Sequence, residues 1–269
     1  LKLKAWEGVI AMPAGERTSK PRSAGLTMVI DKGLGPGQIQ DLASTAGAYV
    51  DIVKLTFGTS AFYDTDLLRK KNRLLAASAV EVMPGGTFLE VAFWQGVAEK
   101  YLERARGLGF SAIEVSDGTI ELPRPERGRL IRRARDLGFK VISEVGKKDP
   151  KEALPFPHLH ELVREDLENG AFKVIIEARE AGKGVGIFDS RGQTRMDEVD
   201  RILEGVRDAN DLIWEAPLKN QQQDLILRFG PNVNLGNIPA EEVLALEALR
   251  QGLRGDTLKR AYLEKKDWS

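Results

Sequence analysis

Glu114, Glu144, Glu177 and Glu215 each fall at or near the end of a short β-branched run (112–116, 140–145, 172–177 and 211–215). A fold that sets these runs side by side brings four carboxylates to one depth. Carboxylates gathered in that way repel one another and lose hydration, so they must be protonated, paired with lysine or arginine, or bound to a cation. An all-oxygen donor set selects Mg²⁺ or Mn²⁺ over zinc. Glu114, Glu144 and Glu177 are therefore candidate metal ligands, the last two foremost because cationic loops follow them. The other reading, in which each glutamate is half of a structural ion pair, stays open at this level.

Cations are the second component. Lys32, Lys54, Lys147, Lys148, Arg179, Lys183 and Arg254 fall at the ends of such runs or in loops. Gly182-Lys183-Gly184, and the group Asn234, Gly236 and Asn237 leading toward a helix expected near Pro239, could hold a phosphate through backbone N–H groups and a helix N-terminus. A plain loop accounts for Gly-Lys-Gly equally well. Arg179 adds a planar fork that can grip two oxygens at once.

Composition narrows the chemistry further. Cysteine is absent and there are only two histidines, which removes disulfides, thiol nucleophiles, zinc ribbons and most imidazole schemes. Forty basic and forty acidic residues give a net charge of zero, so no global field draws the chain to nucleic acid or to a membrane surface. No apolar run approaches the ~20 residues of a membrane span, and no signal segment is seen at the start, so a cytoplasmic location is expected. His158 and His160, two apart, make a poor metal pair on a helix. Trp94 and Trp214 read as core, and the charge run over 127–135 reads as the solvated face of a helix.

The elements that must position these residues alternate. Eight candidate strands (26–31, 50–55, 79–83, 112–116, 140–145, 172–177, 211–215 and 232–235) are separated by stretches of helical period such as Val97, Tyr101, Leu102, Ala105 and Leu108. Arg104-Ala105-Arg106-Gly107-Leu108-Gly109-Phe110 returns as Arg133-Ala134-Arg135-Asp136-Leu137-Gly138-Phe139, and Gly170 stands at the corresponding place in the next unit. Each glycine reads as a helix stop before a strand. Eight βα units of about 30 residues predict an α/β fold, a (β/α)₈ TIM barrel of about 250 residues with its chemistry at the C-terminal ends of the strands. An open doubly wound sheet is the alternative. The expected division is an N-terminal extension over 1–24, the barrel over 25–258 and a C-terminal tail over 259–269, with a long loop over 182–200.

The strand-end motifs also carry a family likeness. Gly25-Leu26-Thr27 with Asp31-Lys32-Gly33-Leu34, Val53-Lys54, Pro84-Gly85-Gly86-Thr87, Glu114-Val115-Ser116-Asp117-Gly118 and Glu144-Val145-Gly146-Lys147-Lys148 are five of them. With Glu215-Ala216-Pro217 and Leu253-Arg254-Gly255-Asp256-Thr257, they resemble the phosphosulfolactate synthase family of coenzyme M biosynthesis over about residues 22–258. The resemblance implies a Mg²⁺-dependent lyase that adds sulfite to phosphoenolpyruvate, giving (R)-2-phospho-3-sulfolactate through a metal-stabilised aci-carboxylate. It assigns the general acid to the second lysine of the pair, Lys148, with Lys147 the next candidate. Lys32, Lys54, Arg179, Lys183, Asn234, Gly236 and Asn237 are, from their positions, the candidates for substrate binding. Thr56 and Ala178 stand where archaeal members carry glycine, and Ala181 where they carry serine. The chain is similar as well to a plant heat-stress-associated protein, which offers a non-catalytic binding barrel as the alternative. Self-association into a homo-oligomer is left open by the sequence.

Overall fold

The computed structural model describes residues 4–264. Its strands are β1 (Thr27–Asp31), β2 (Ile52–Leu55), β3 (Glu81–Pro84), β4 (Ala112–Val115), β5 (Lys140–Val145), β6 (Lys173–Ile176), β7 (Leu212–Glu215) and β8 (Leu235–Pro239). The helices are α1 (Pro36–Ala46), α2 (Thr65–Ala76), α3 (Gly86–Trp94), α4 (Ala98–Gly107), α5 (Arg124–Asp136), α6 (Phe156–Asn169), α7 (Met196–Leu203), α8 (Lys219–Phe229), α9 (Val243–Arg250) and α10 (Gly255–Glu264). The strands are parallel and hydrogen-bonded in the order β3-β2-β1-β8-β7-β6-β5-β4. At the remaining seam, between β3 and β4, the Ser111 N–H donates to the Val82 carbonyl at 3.1 Å. This is a nearly closed (β/α)₈ barrel, as expected. Gly109, Gly138 and Gly170 have φ of 84°, 86° and 106°, the left-handed geometry by which a glycine lets a helix turn into the next strand.

Two apolar layers hold the barrel. Outward strand residues such as Val29, Val53, Ile113, Val141, Val174 and Leu212 pack under the helices. The inside is plugged by Leu26, Met28, Ile52, Met83, Ala112, Ile142, Ile175 and Ile213. Because strand side chains alternate with period two, the residues two places beyond this plug also point inward, toward the C-terminal end. Among them are Lys54, Glu114, Glu144, Glu177 and Glu215. A strand pattern that is apolar and then charged thus builds a dry floor with a ring of charges above it.

The N-terminal extension braces the opposite face. Arg17 bonds Glu247 of α9 and the Gly25 carbonyl, and Arg22 pairs with Asp51 at 2.9 Å. The Lys20 ammonium donates to the carbonyls of Gly47, Val50 and Ser78. Of the tail expected over 259–269, residues 259–264 complete α10 and residues 265–269 lie outside the described residues. No helix among the described residues is long and apolar enough to cross a membrane.

Several expectations are corrected. The last strand is Leu235–Pro239 rather than 232–235. Asn234 therefore sits below it, at the N-terminal end. Gly236 and Asn237 lie within the strand rather than in a turn after it, and a short 3₁₀ turn (Ala240–Glu242) intervenes before α9. The long stretch over 182–200 is loop only as far as Arg195, where α7 begins. Trp94 is 76% exposed rather than core, whereas Trp214 is buried. Arg127, read as part of a solvated face, is buried on the apolar stripe of α5 with Leu130, Ile131 and Ala134.

Candidate active site

The ring of charges gathers at the C-terminal mouth around two lysines. Lys54, from β2, is buried, and its ammonium donates to Glu114 at 2.9 Å, to Glu144 at 3.2 Å and to Glu215 at 3.4 Å. Lys148 approaches from the loop after β5. Its ammonium stands 3.2 Å from Thr87 Oγ1, 3.3 Å from Glu177 and 3.5 Å from Glu144, with 31% of the side chain exposed. Glu215 Oε2 accepts the Ala178 N–H at 3.0 Å and Glu177 Oε1 the Arg179 N–H at 2.6 Å, so both carboxylates are oriented by the loop after β6.

Four carboxylates against two ammonium groups leave two negative charges in excess within a buried ring. The protonation equilibria show the strain. Burial, with the Glu144 charge beside it, pushes the Glu114 carboxyl up to about 8 against the pull of Lys54. Burial and then the charges of Glu144 and Glu215 push Glu177 up to about 10. Burial acts on Glu144 in the same sense, but Lys54 and Lys148 outweigh it and hold Glu144 below the usual carboxylate range. Burial lowers both lysines, and the surrounding glutamates outweigh it, raising them above their ordinary value. The ring can shed its excess by taking up two protons or one divalent cation.

The donor chemistry and the charge fit a hard divalent ion. Glu114 Oε2 is buried without a hydrogen-bond partner, and Glu177 Oε2 has only the Lys148 ammonium, 3.3 Å away. The ring is nevertheless no preformed cage: no group of three ligating side chains stands ready for a metal among the described residues. The Lys54 ammonium is already held among Glu114, Glu144 and Glu215.

The other candidates divide. Lys147 turns away from the ring and donates to the Asp117 carbonyl at 2.5 Å and to its carboxylate at 3.1 Å. Lys32 pairs with Glu180 across a neighbouring cavity of about 390 Å³ between the loops after β1, β6 and β8, and Asn237 lines that cavity with its amide oxygen unpartnered. Asn237 has φ 55° because β8 bulges there: Thr27 and Val29 face Leu235 and Ile238, three residues matching two. Arg179 and Lys183 are exposed on the loop after β6. Two candidates are removed from the mouth. Asn234 Oδ1 accepts the Leu26 N–H at 2.9 Å while its amide donates to the carbonyls of Asn210 and Leu212, tying three strands together at the N-terminal end. Gly236 faces the plug: a Cβ there would lie 2.6 Å from Met28 Cε, so its lack of a side chain serves packing. Neither Thr56 nor Ala178 lies in the left-handed region, so their side chains are carried without backbone strain.

Sequence reasoning missed a supporting set. Glu90, a lone charge on the apolar helix α3, is buried and accepts Ser116 Oγ at 2.6 Å and the Thr119 and Ile120 N–H groups at 2.9 Å. Thr87 contacts Lys148, and Asp117 receives both Lys147 and Arg127. Glu90 and Arg127 shared one readable signal, a charge at a helix position that the period assigns to the core.

Comparison with known proteins identifies the family. The profile of the (2R)-phospho-3-sulfolactate synthase (ComA) family matches residues 15–256. A phosphosulfolactate synthase from Methanothermobacter thermautotrophicus is 47% identical over 249 residues, covering 92% of this chain and 96% of that protein. More distantly, the Arabidopsis thaliana Protein HEAT-STRESS-ASSOCIATED 32 is 24% identical, covering 87% of this chain and 88% of its own length. Among solved structures, 3-hexulose-6-phosphate synthase from Salmonella typhimurium superposes with a TM-score of 0.55 at 15% identity, covering 85% of this chain and all of that one, a likeness of fold alone.

Proposed function

Because the chain belongs to the phosphosulfolactate synthase family, and so to a family of enzymes, we propose that it is a lyase joining sulfite to phosphoenolpyruvate at the carboxylate ring, with Lys148 as the acid. The observation that carries this reading is the contrast between the two lysines after β5. Lys147 is consumed by Asp117, whereas Lys148 keeps a partly exposed ammonium at the edge of the ring.

The proposed chemistry is an addition in which the sulfite sulfur forms a bond to C3 of the enol while the C2–C3 π pair moves through C2 toward the carboxylate. A proton then passes from the Lys148 ammonium to C2, and the resulting amine regains a proton from solvent. The product is 2-phospho-3-sulfolactate of a single configuration at C2, because Lys148 protonates the bound enol from one face only; the proposed configuration is R. Glu144 and Glu177 hold the ammonium beside the mouth and keep it protonated, since they raise its affinity for the proton. Glu114, Glu144 and Glu177 would hold Mg²⁺, which when bound supplies Lewis acidity at the substrate carboxylate. Lys54 fixes three of the glutamates from below, and as the counter-charge of the ring it limits how much negative charge an anionic substrate meets. Lys32 and Asn237, lining the adjoining cavity, and Arg179 and Lys183, on the loop beside it, are the proposed contacts for the phosphate.

A purified sample with Mg²⁺ should deplete the ultraviolet absorbance of phosphoenolpyruvate only when sulfite is added. Depletion that is independent of sulfite, or none at all with both reactants and metal present, contradicts the assignment.

A further inference from the structure

Arg127 lies outside the ring, yet it is tied both to the end of β5, whose loop carries the lysine pair, and to the loop after β4. Its guanidinium forks onto Asp166 of α6 at 2.8 and 3.1 Å from Nε and at 2.5 Å from Nη2. Nη2 also donates to the Glu144 carbonyl at 2.9 Å, and Nη1 to Asp117 Oδ1 at 3.1 Å. The chain of contacts continues from there. Asp117 takes the Lys147 ammonium, and the next residue, Gly118, accepts the backbone N–H of Lys148 at 3.0 Å. Room for that approach is narrow, since a Cβ on Gly118 would lie 3.1 Å from Lys148 Nζ.

Every group in this network is satisfied within it. Arg127 and Asp166 are 2% exposed, Asp117 12% and Lys147 15%. Two cations face two carboxylates, so the network is neutral and needs no ligand. Its geometry is what matters: one planar group joins the end of β5, the loop after β4 and two outer helices. The backbone that presents Lys148 cannot shift without breaking charge-assisted bonds in a desolvated setting, each stronger than a neutral bond.

We infer that Arg127, acting with Asp117, is a positioning residue that sets where the Lys148 ammonium stands, and this rests on the reading of Lys148 as the acid. Neither Arg127 nor Asp117 needs to touch substrate. A displacement of about 1 Å at a proton donor is worth up to ~10² in rate, so the effect of the network falls on turnover and is exerted through one side chain.

A double-mutant cycle tests this. Arg127→Lys keeps the charge and loses the fork, and Asp117→Asn keeps the shape and loses the charge. Each is expected to lower kcat by about 10-fold to 10²-fold while the KM for phosphoenolpyruvate moves by no more than about threefold. In a Lys148→Ala background neither substitution is expected to lower kcat further. Should Arg127→Lys fail to fold, Asp117→Asn decides alone, because its side chain lies in a loop and is nearly isosteric. Equal factors in wild-type and Lys148→Ala backgrounds would overturn the inference and leave the acid in place, as would a lowered Tm with unchanged kcat. Full turnover in Lys148→Ala itself would overturn the acid reading and the inference together.

Discussion

At the scale of residues, the ring works by opposition. Glu114 and Glu177 are held toward the protonated state by burial and by their acidic neighbours, and Glu144 toward the charged state by Lys54 and Lys148. A divalent cation taken up here must displace protons from carboxyls pushed up to about 8 and about 10, so its affinity should rise as pH rises through the neutral range. Titration with Mn²⁺, followed by water-proton relaxation, is expected to show tighter binding at pH 8 than at pH 6. Glu144→Gln and Glu177→Gln should each weaken it by about tenfold or more, within the range seen when a metal site is impaired. Unchanged affinity in both variants would remove the metal from this ring. The four glutamates were legible in sequence because each ends a β-branched run. Their lysine partners were legible as residue types but not as pairings, since Lys54 and Glu215 are 161 residues apart. Distance along the chain is also why Arg127 reads as solvent-facing in sequence: Asp166, its main partner, lies 39 residues on and in another helix.

At the scale of elements, seven strands fell close to where alternating β-branched residues placed them, and the eighth did not. Val233-Asn234-Leu235 has the look of a strand, whereas Leu235–Pro239 contains Gly236, an Asn with φ 55° and a proline, all poor strand formers. Tertiary pairing overrides propensity there, because β1 and β7 flank the segment and supply its ladder. The consequence for Asn234 is testable. It satisfies one N–H and two carbonyl groups at the bottom of the barrel, so Asn234→Ala should lower unfolding free energy by at least about 2 kcal/mol with kcat and KM unchanged. Urea denaturation beside steady-state kinetics checks both. A raised KM at intact stability would return Asn234 to the substrate.

At the scale of the whole molecule, the two ends of the barrel divide the work, the C-terminal mouth holding the charged ring and the N-terminal face the bracing contacts of residues 17–22. Arg22→Ala leaves Asp51 buried without its cation, which typically costs about 3 kcal/mol or more. Thermal unfolding should report that loss while kcat at 25 °C stays near wild type; impaired turnover in the folded variant would contradict the division. In the proposed reaction the assembled enzyme adds sulfite to an enol and Lys148 delivers the proton to C2. Proton NMR of the product formed in D₂O reads both steps at once. One deuterium is expected at C2 of every 2-phospho-3-sulfolactate molecule, formed about 10²-fold to 10⁴-fold more slowly by Lys148→Ala. Product without deuterium at C2, or formed at the wild-type rate by Lys148→Ala, would contradict this reaction.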